Sequence, residues 1–237
     1  VDVEEETARI VAEMRRRAVP GRAEGEKRYL KSDFVHLGTT VPEVRKVART
    51  AAVRSRDDAL ALAETLWTLT ESGLAVHEAR MAAIEILVRW VRLLEPKDVG
   101  FVERLVRDSA SWVYVDGLAE KVVGQLASGE VLDVWVGDSC MWVRRTALLA
   151  LLPGVRSGRP DLGRISRYGD LVIGEREFFI RKALGWVLRE LSKKDPAWVH
   201  KWVTERIGTI SGVTIREAVR RLPEADAQGL LDAYRRR

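Results

Sequence analysis

A short pattern returns along this chain at a nearly constant interval, and it narrows the folds open to the chain. The pattern is an apolar residue, an arginine, two further residues, then a small or apolar one. It reads Val44-Arg45-x-x-Ala48, Ala79-Arg80-x-x-Ala83, Val143-Arg144-x-x-Ala147, Ile180-Arg181-x-x-Leu184 and Ile215-Arg216-x-x-Val219. Three intervals are 35, 37 and 35 residues, and the fourth, 64, is nearly double. Val115-Asp116-x-x-Ala119 falls inside that long gap, 36 residues after Arg80 and 28 before Arg144. A single match is weak, but six in register point to six units of about 35 residues, each long enough for two helices. Such units bury their apolar faces only against neighbours, so the spacing predicts an all-α solenoid of the HEAT or armadillo type. About six HEAT-like helix-pair repeats are expected, with a concave basic face built from one helix per unit.

The hydrophobic period agrees. Apolar residues recur at helical spacing almost throughout, and period-2 runs closed by tight-turn dipeptides are nearly absent. Helices are predicted at 2–18, 22–31, 41–54, 57–72, 76–93, 96–109, 111–127, 129–137, 140–152, 161–171, 175–193, 195–208, 211–221 and 224–235. Pro42, Pro96, Asp195-Pro196 and Ser211 suit helix starts, while Gly73, Gly129 and Gly174 suit stops or turns. Residues 1–237 are read as a single domain.

Composition excludes several classes. The chain is 46% apolar and 32% charged, as in a globular protein. No apolar run approaches the roughly 18 residues of a membrane span, and the first residues do not resemble a targeting peptide, so no membrane partner is expected. Cys140 is the single cysteine, which rules out a disulfide framework and favours an intracellular, cytoplasmic setting. His36, His77 and His200 lie far apart, and no HExxH or CxxC is present, so no metal site is expected. Dinucleotide, phosphate-loop and GxSxG motifs are also absent, and no cofactor is predicted. Charge is uneven: residues 141–237 hold 20 Lys and Arg against 11 Asp and Glu, a net +9, whereas residues 1–140 carry a net −4. A basic half on an acidic chain suits a polyanion partner, although a solvated helix face has the same composition.

Three stretches stand out. Around Trp112-Val-Tyr-Val-Asp116 a helical wheel places Trp112, Val115, Ala119, Val122, Val123 and Leu126 on one face, with Asp116 on its margin. A carboxylate between an indole and a valine is costly unless its charge is answered. Nothing basic shares that face, so the answer comes from water, from an arginine of another helix, or from a ligand. In Phe178-Phe-Ile-Arg-Lys-Ala-Leu-Gly-Trp-Val-Leu-Arg-Glu190 the apolar stripe is Ile180, Leu184, Val187, Leu188 and Leu191. Trp186 lies off it, beside Lys182 and Arg189, which suits either an aromatic platform flanked by phosphate-seeking cations or a residue covered by another helix. In the apolar helix at Met141–Leu149, Arg144 fits the repeating column, while Arg145 is extra and the better functional candidate.

Together these stretches resemble the AlkD-type DNA alkylation repair glycosylases, the HEAT-like-repeat DNA glycosylases. The resemblance covers most of the chain and rests on Arg28-Tyr29-Leu30-Lys31, Gly38-Thr-Thr-Val-Pro-Glu43, Ser111-Trp112 with Asp116, Trp142-Val-Arg-Arg145 and the long 178–190 motif. It implies an all-α solenoid, monomeric and free of cofactors, that removes cationic N3- and N7-alkylated purines from double-stranded DNA. It places the catalytic carboxylate on Asp116, with Trp112 and Trp186 as its aromatic partners. Arg145, Arg189, Lys182, Tyr29 and Thr40 are the implied DNA-binding positions, and nucleoid association through DNA is implied with them. Two positions depart from the family pattern: Thr40 stands where relatives carry Gln, and Ser111 where they carry a second Trp. The competing expectation is a non-catalytic scaffold of the same architecture that binds DNA structures or protein.

Overall fold

The computed structural model describes residues 2–237 and is all-α; among them the only sheet is a two-stranded hairpin. The hairpin pairs β1, Thr70–Glu71, with β2, Leu74–Ala75, directly after the fourth helix. It shortens the helix predicted at 57–72, because Ser72 and Gly73 both take left-handed backbone angles, φ 51° and 79°, and close a two-residue turn. Chain contacts separate two compact units, one ending at Asp98 and the other spanning Val99–Arg237.

The first unit holds α1 (Val3–Arg16), α2 (Arg22–Leu30), α3 (Val41–Ala48), α4 (Arg56–Thr68) and α5 (His77–Arg89). Local chemistry sets several of these ends. Asp2 caps α1 by accepting from the Glu5 amide, with Glu4, Glu5 and Glu6 in the first turn and Arg15 and Arg16 in the last, as the helix dipole favours. Ser55 and Asp58 form a reciprocal capping box at the start of α4. α5 packs on α3 and α4 and is buried on every side from His77 to Leu87. Its polar residues therefore need internal partners. Glu85 receives a forked bond from Arg45, and Arg80 lies between the rings of Phe34 and Trp67 at 4.7 and 4.6 Å.

The second unit runs through α6 (Val99–Arg107), α7 (Trp112–Leu118), α8 (Gly124–Leu126), α9 (Gly129–Trp135), α10 (Met141–Leu149), α11 (Leu152–Arg156), α12 (Leu162–Val172), α13 (Phe178–Ser192), α14 (Pro196–Glu205), α15 (Gly212–Ala218) and α16 (Glu224–Arg235). α13 is its central member, touching α10, α11, α12, α14 and α15. Between α7 and α8 the chain winds as a π-helix over Ala119–Val123, with the Gly124 amide reaching back to the Ala119 carbonyl. The buried positions explain this winding. Tyr114, Val115, Leu118, Ala119, Val122, Val123 and Leu126 repeat every four residues, and a strict α-helix would rotate such a set out of the core. Trp112, placed on this stripe by an ideal wheel, is only half-buried.

The column of arginines is used in several ways. Arg45 and Arg144 each form a forked pair with a carboxylate further along the chain, Glu85 and Glu175, 40 and 31 residues on. Arg181 instead donates to the Glu175 backbone carbonyl, and Arg80 stacks on aromatic rings. The column thus joins successive elements by whichever acceptor or ring each one presents.

Candidate active site

The second unit brings Asp116 and Arg145 together. Asp116 sits on α7 and Arg145 on α10, two helices in contact. Arg145 Nε donates to Asp116 Oδ1 at 2.8 Å and Nη2 to Oδ2 at 3.0 Å, a fork-on-fork geometry. Its Nη1 donates to the backbone carbonyl of Phe179 in the first turn of α13. One guanidinium therefore ties three helices. The arginine side chain is 5% exposed and the aspartate side chain 18%, so the carboxylate is the more open partner. Burial raises the Asp116 pKa above the ordinary aspartate value, and the hydrogen bonds and charge of Arg145 counter only part of that rise.

Aromatic rings cluster on the guanidinium side of the pair. The Phe179 ring centroid lies 5.8 Å from the Arg145 guanidinium carbon and 5.2 Å from the Trp142 ring. Phe178 meets Phe179 edge-on at 5.5 Å and is 52% exposed. Trp112, four residues before Asp116, is half-buried on the same helix. On α13, Phe179, Lys182, Trp186 and Arg189 follow one another at three- and four-residue steps, so they form a single stripe. Trp186 is half-buried on it, and the Arg156 guanidinium lies 5.9 Å from its ring centroid. Arg156 pairs in turn with Glu120, one turn beyond Asp116. The contacts close a circuit from Asp116 through Arg145 and Phe179, along α13 to Trp186, and back through Arg156 and Glu120.

Lys182 and Arg189 are not free cations. Both bind Glu217 of α15, Lys182 Nζ at 2.6 Å from Oε1 and Arg189 through Nη1 to Oε2. Arg220 adds a third charge at 3.3 Å. Burial pushes the Glu217 pKa up, but these three cations hold it below the ordinary glutamate value. α15 approaches α13 this closely because Gly185 has no side chain: a Cβ there would sit 2.5 Å from Glu217 Cβ. Sequence reasoning missed Glu217, since its partners lie on another helix, and it gave Phe179 no role at the carboxylate, since a backbone acceptor carries no residue-type signal.

The remaining expected residues lie in the first unit. Tyr29 on α2 is 75% exposed. Thr40 is the N-cap residue of α3, yet its side chain makes no capping bond. The loop before it is held by buried Glu78, which accepts from the amides of Leu37, Gly38 and Thr39 at 2.8, 2.7 and 3.1 Å. Thr39 Oγ1 also donates to the Met14 carbonyl at 2.7 Å.

The fold and this site define an all-α protein with a forked carboxylate–guanidinium pair beside an aromatic cluster and a helix stripe carrying cations. The chain belongs to the DNA alkylation repair enzyme family, whose model matches residues 10–222. A predicted DNA alkylation repair enzyme from Enterococcus faecalis has the same fold, with 23% identity and a TM-score of 0.77 over 88% of this chain and 98% of its own. The crystal structure of AlkD2 from Streptococcus mutans aligns at 16% identity and a TM-score of 0.59, covering 93% of this chain and 99% of that one. Comparison with curated proteins gives no match. Among the described residues no helix is long and apolar enough to cross a membrane.

Proposed function

We propose that the protein is a monofunctional, cofactor-independent glycosylase, one domain acting as a monomer, that hydrolyses the N-glycosidic bond of cationic N3- or N7-alkylated purines in duplex DNA. The observation that carries this reading is the partly open Asp116 carboxylate, oriented by Arg145 beside the Phe179 ring, in a chain of the alkylation repair family. An alkylated purine of this kind leaves with the bonding electron pair and becomes neutral, so its departure needs no general acid. Hydrolysis of an O-glycoside needs a second carboxyl group for that purpose. One carboxylate suffices here: Asp116 stabilises the positive charge that develops on the deoxyribose and orients the water that adds to C1′, whose proton passes to the carboxylate or to solvent. Trp112 and Trp186 are assigned to holding the cationic nucleotide by ring contacts. Arg145, Lys182, Arg189, Tyr29 and Thr40 are assigned to the DNA backbone. The test is single-turnover release of base from duplex containing N7-methylguanine. Release well above the spontaneous rate, lost in Asp116→Asn, supports the reading. Release at the spontaneous rate with duplex binding intact favours the scaffold reading, in which Asp116 and Arg145 are a structural salt bridge.

A further inference from the structure

A cluster in the first unit, apart from the residues assigned to base release, has the composition of a metal site. Val35 and Val76 form an isolated parallel bridge, with the Val35 amide bonded to the Ala75 carbonyl at 2.9 Å and the His77 amide to the Val35 carbonyl at 2.8 Å. This register sets the next residue of each segment side by side. His36 and His77, 41 positions apart in sequence, stack with ring centroids 4.3 Å apart and planes 14° from parallel. Glu26 of α2 joins them, its Oε2 lying 3.8 Å from His36 Nδ1. One ligating atom from each of Glu26, His36 and His77 lies within 4.8 Å of the other two.

The hydrogen bonding around these residues is incomplete. The His36 side chain is 1% exposed, yet neither ring nitrogen has a hydrogen-bond partner among the described residues, and neither does Glu26 Oε2. Buried polar atoms without partners are costly, and here Glu26 Oε2 and one nitrogen of the neutral His36 ring hold lone pairs that a ligand can take. We propose that Glu26, His36 and His77 bind a divalent transition metal ion of the zinc class. Two imidazoles and a carboxylate are a donor set that zinc accepts. The remaining Glu26 oxygen is already held by Arg22 Nη2 at 3.0 Å, an outer bond of the kind that orients a metal-binding carboxylate.

Binding asks for a small rearrangement. Parallel rings aim their lone pairs along separate planes, so one imidazole must turn about its soft χ2 bond. Donors around tetrahedral zinc lie about 3.4 Å apart, so the cluster must also contract by about 1 Å. The consequence falls on α2. This nine-residue helix contains no buried residue, and isolated helices of its length are marginal in water. A metal shared by Glu26, His36 and His77 fastens α2 to the segment before α3 and to the start of α5, and so fixes the presentation of the exposed Tyr29.

The experiment uses the full chain, first treated with chelator and then titrated with Zn(II) or Co(II). The expected result is one ion per chain, and a melting-temperature rise of roughly 5 °C with metal near 100-fold above its dissociation constant. Co(II) should give visible absorption bands of nitrogen and oxygen ligation, without a thiolate charge-transfer band. Glu26→Gln and His36→Gln should abolish uptake, and Cys140→Ser should leave it unchanged. Should a histidine variant fail to fold, the parent's Co(II) spectrum and stoichiometry decide alone. No uptake, uptake that survives Glu26→Gln, or uptake lost in Cys140→Ser each overturns the proposal. Base release is not part of the readout, so failure here and failure of the glycosylase reading are separate results.

Discussion

Replacing Asp116 and Arg145 singly and together separates a catalytic carboxylate from a structural one. At a separation of about 4 Å and an effective dielectric constant near 20, two unit charges attract by about 4 kcal/mol, much of which their desolvation cancels. Removing one member of a buried pair costs more than the pair's net worth, about 3–5 kcal/mol, because the other charge is stranded. Asp116→Ala strands Arg145, whose side chain is 5% exposed and keeps only the Phe179 carbonyl. The retained bond puts the expected loss near the lower end, about 3 kcal/mol. Asp116→Asn keeps one acceptor oxygen, turns an amide against a donor, and should lose about 2 kcal/mol. Arg145→Met alone leaves the carboxylate unpaired and should be similarly destabilising. The double variant Asp116→Asn with Arg145→Met removes both charges and should recover part of the loss, since apolar replacement of a buried pair is often nearly neutral. Base release should behave differently. Every variant lacking the Asp116 charge should be slower on the order of 10² to 10³-fold, the usual cost of deleting one preorganised electrostatic group. The assay is single-turnover release of N7-methylguanine, with denaturant unfolding of the same preparations. Release that tracks the folded fraction in all variants, and returns to the parental rate in the double variant, refutes a catalytic role for Asp116.

The raised Asp116 pKa fixes a pH dependence. Release that needs the ionised carboxylate should fall on acidification through a value above the ordinary 3.8, and an acid limb at or below 3.8 contradicts the burial argument. Because the folded value lies above the unfolded one, this group favours the fold most below both values, and that increment is lost as pH rises through them. Trp186→Ala removes a half-buried ring, so it should cost no more than about 2 kcal/mol while slowing release of a cationic base at least tenfold; a larger stability loss with unchanged release makes Trp186 a packing residue. Gly185→Ala forces a Cβ to 2.5 Å from Glu217 Cβ and 3.0 Å from the Thr214 carbonyl, and should destabilise by about 1–3 kcal/mol in chemical unfolding. Duplex binding should weaken steeply between about 50 and 200 mM salt if phosphates are the ligand, and a flat response argues against DNA.

How much of this the chain declares depends on whether a feature lies within one helix or between two. The repeat of Arg45, Arg80, Arg144, Arg181 and Arg216 is a within-chain pattern, and it predicted helices throughout. Asp116 stood out because it reverses the sign of that column, and Arg145 because it is additional to it. That each answers the other was not legible, since a helical wheel holds no information about which face of α10 meets α7. The same limit hid Glu217 from Lys182 and Arg189, and it made His36 and His77 look remote until the bridge at Val35 and Val76 set them side by side. The π-helix leaves a trace in retrospect: apolar residues at 114, 118, 122 and 126, and at 115, 119 and 123, repeat every four residues, too slow for an α-helix.

A guanidinium carries five N–H donors. Nε, one donor of Nη2 and one of Nη1 are committed to Asp116 and to the Phe179 carbonyl. Two donors are left, one on each terminal nitrogen. Under the proposed mechanism Arg145 therefore keeps donors for a phosphate oxygen while holding the carboxylate, but with its side chain 5% exposed it meets a phosphate only if DNA binding uncovers it. A lysine has a single nitrogen and no planar fork, so it cannot divide its donors in this way. Arg145→Lys should accordingly keep the positive charge but loosen Asp116, slowing base release more than it weakens duplex binding. An equal fall in both, measured by single-turnover release and by binding to undamaged duplex, means that Arg145 serves the phosphate alone.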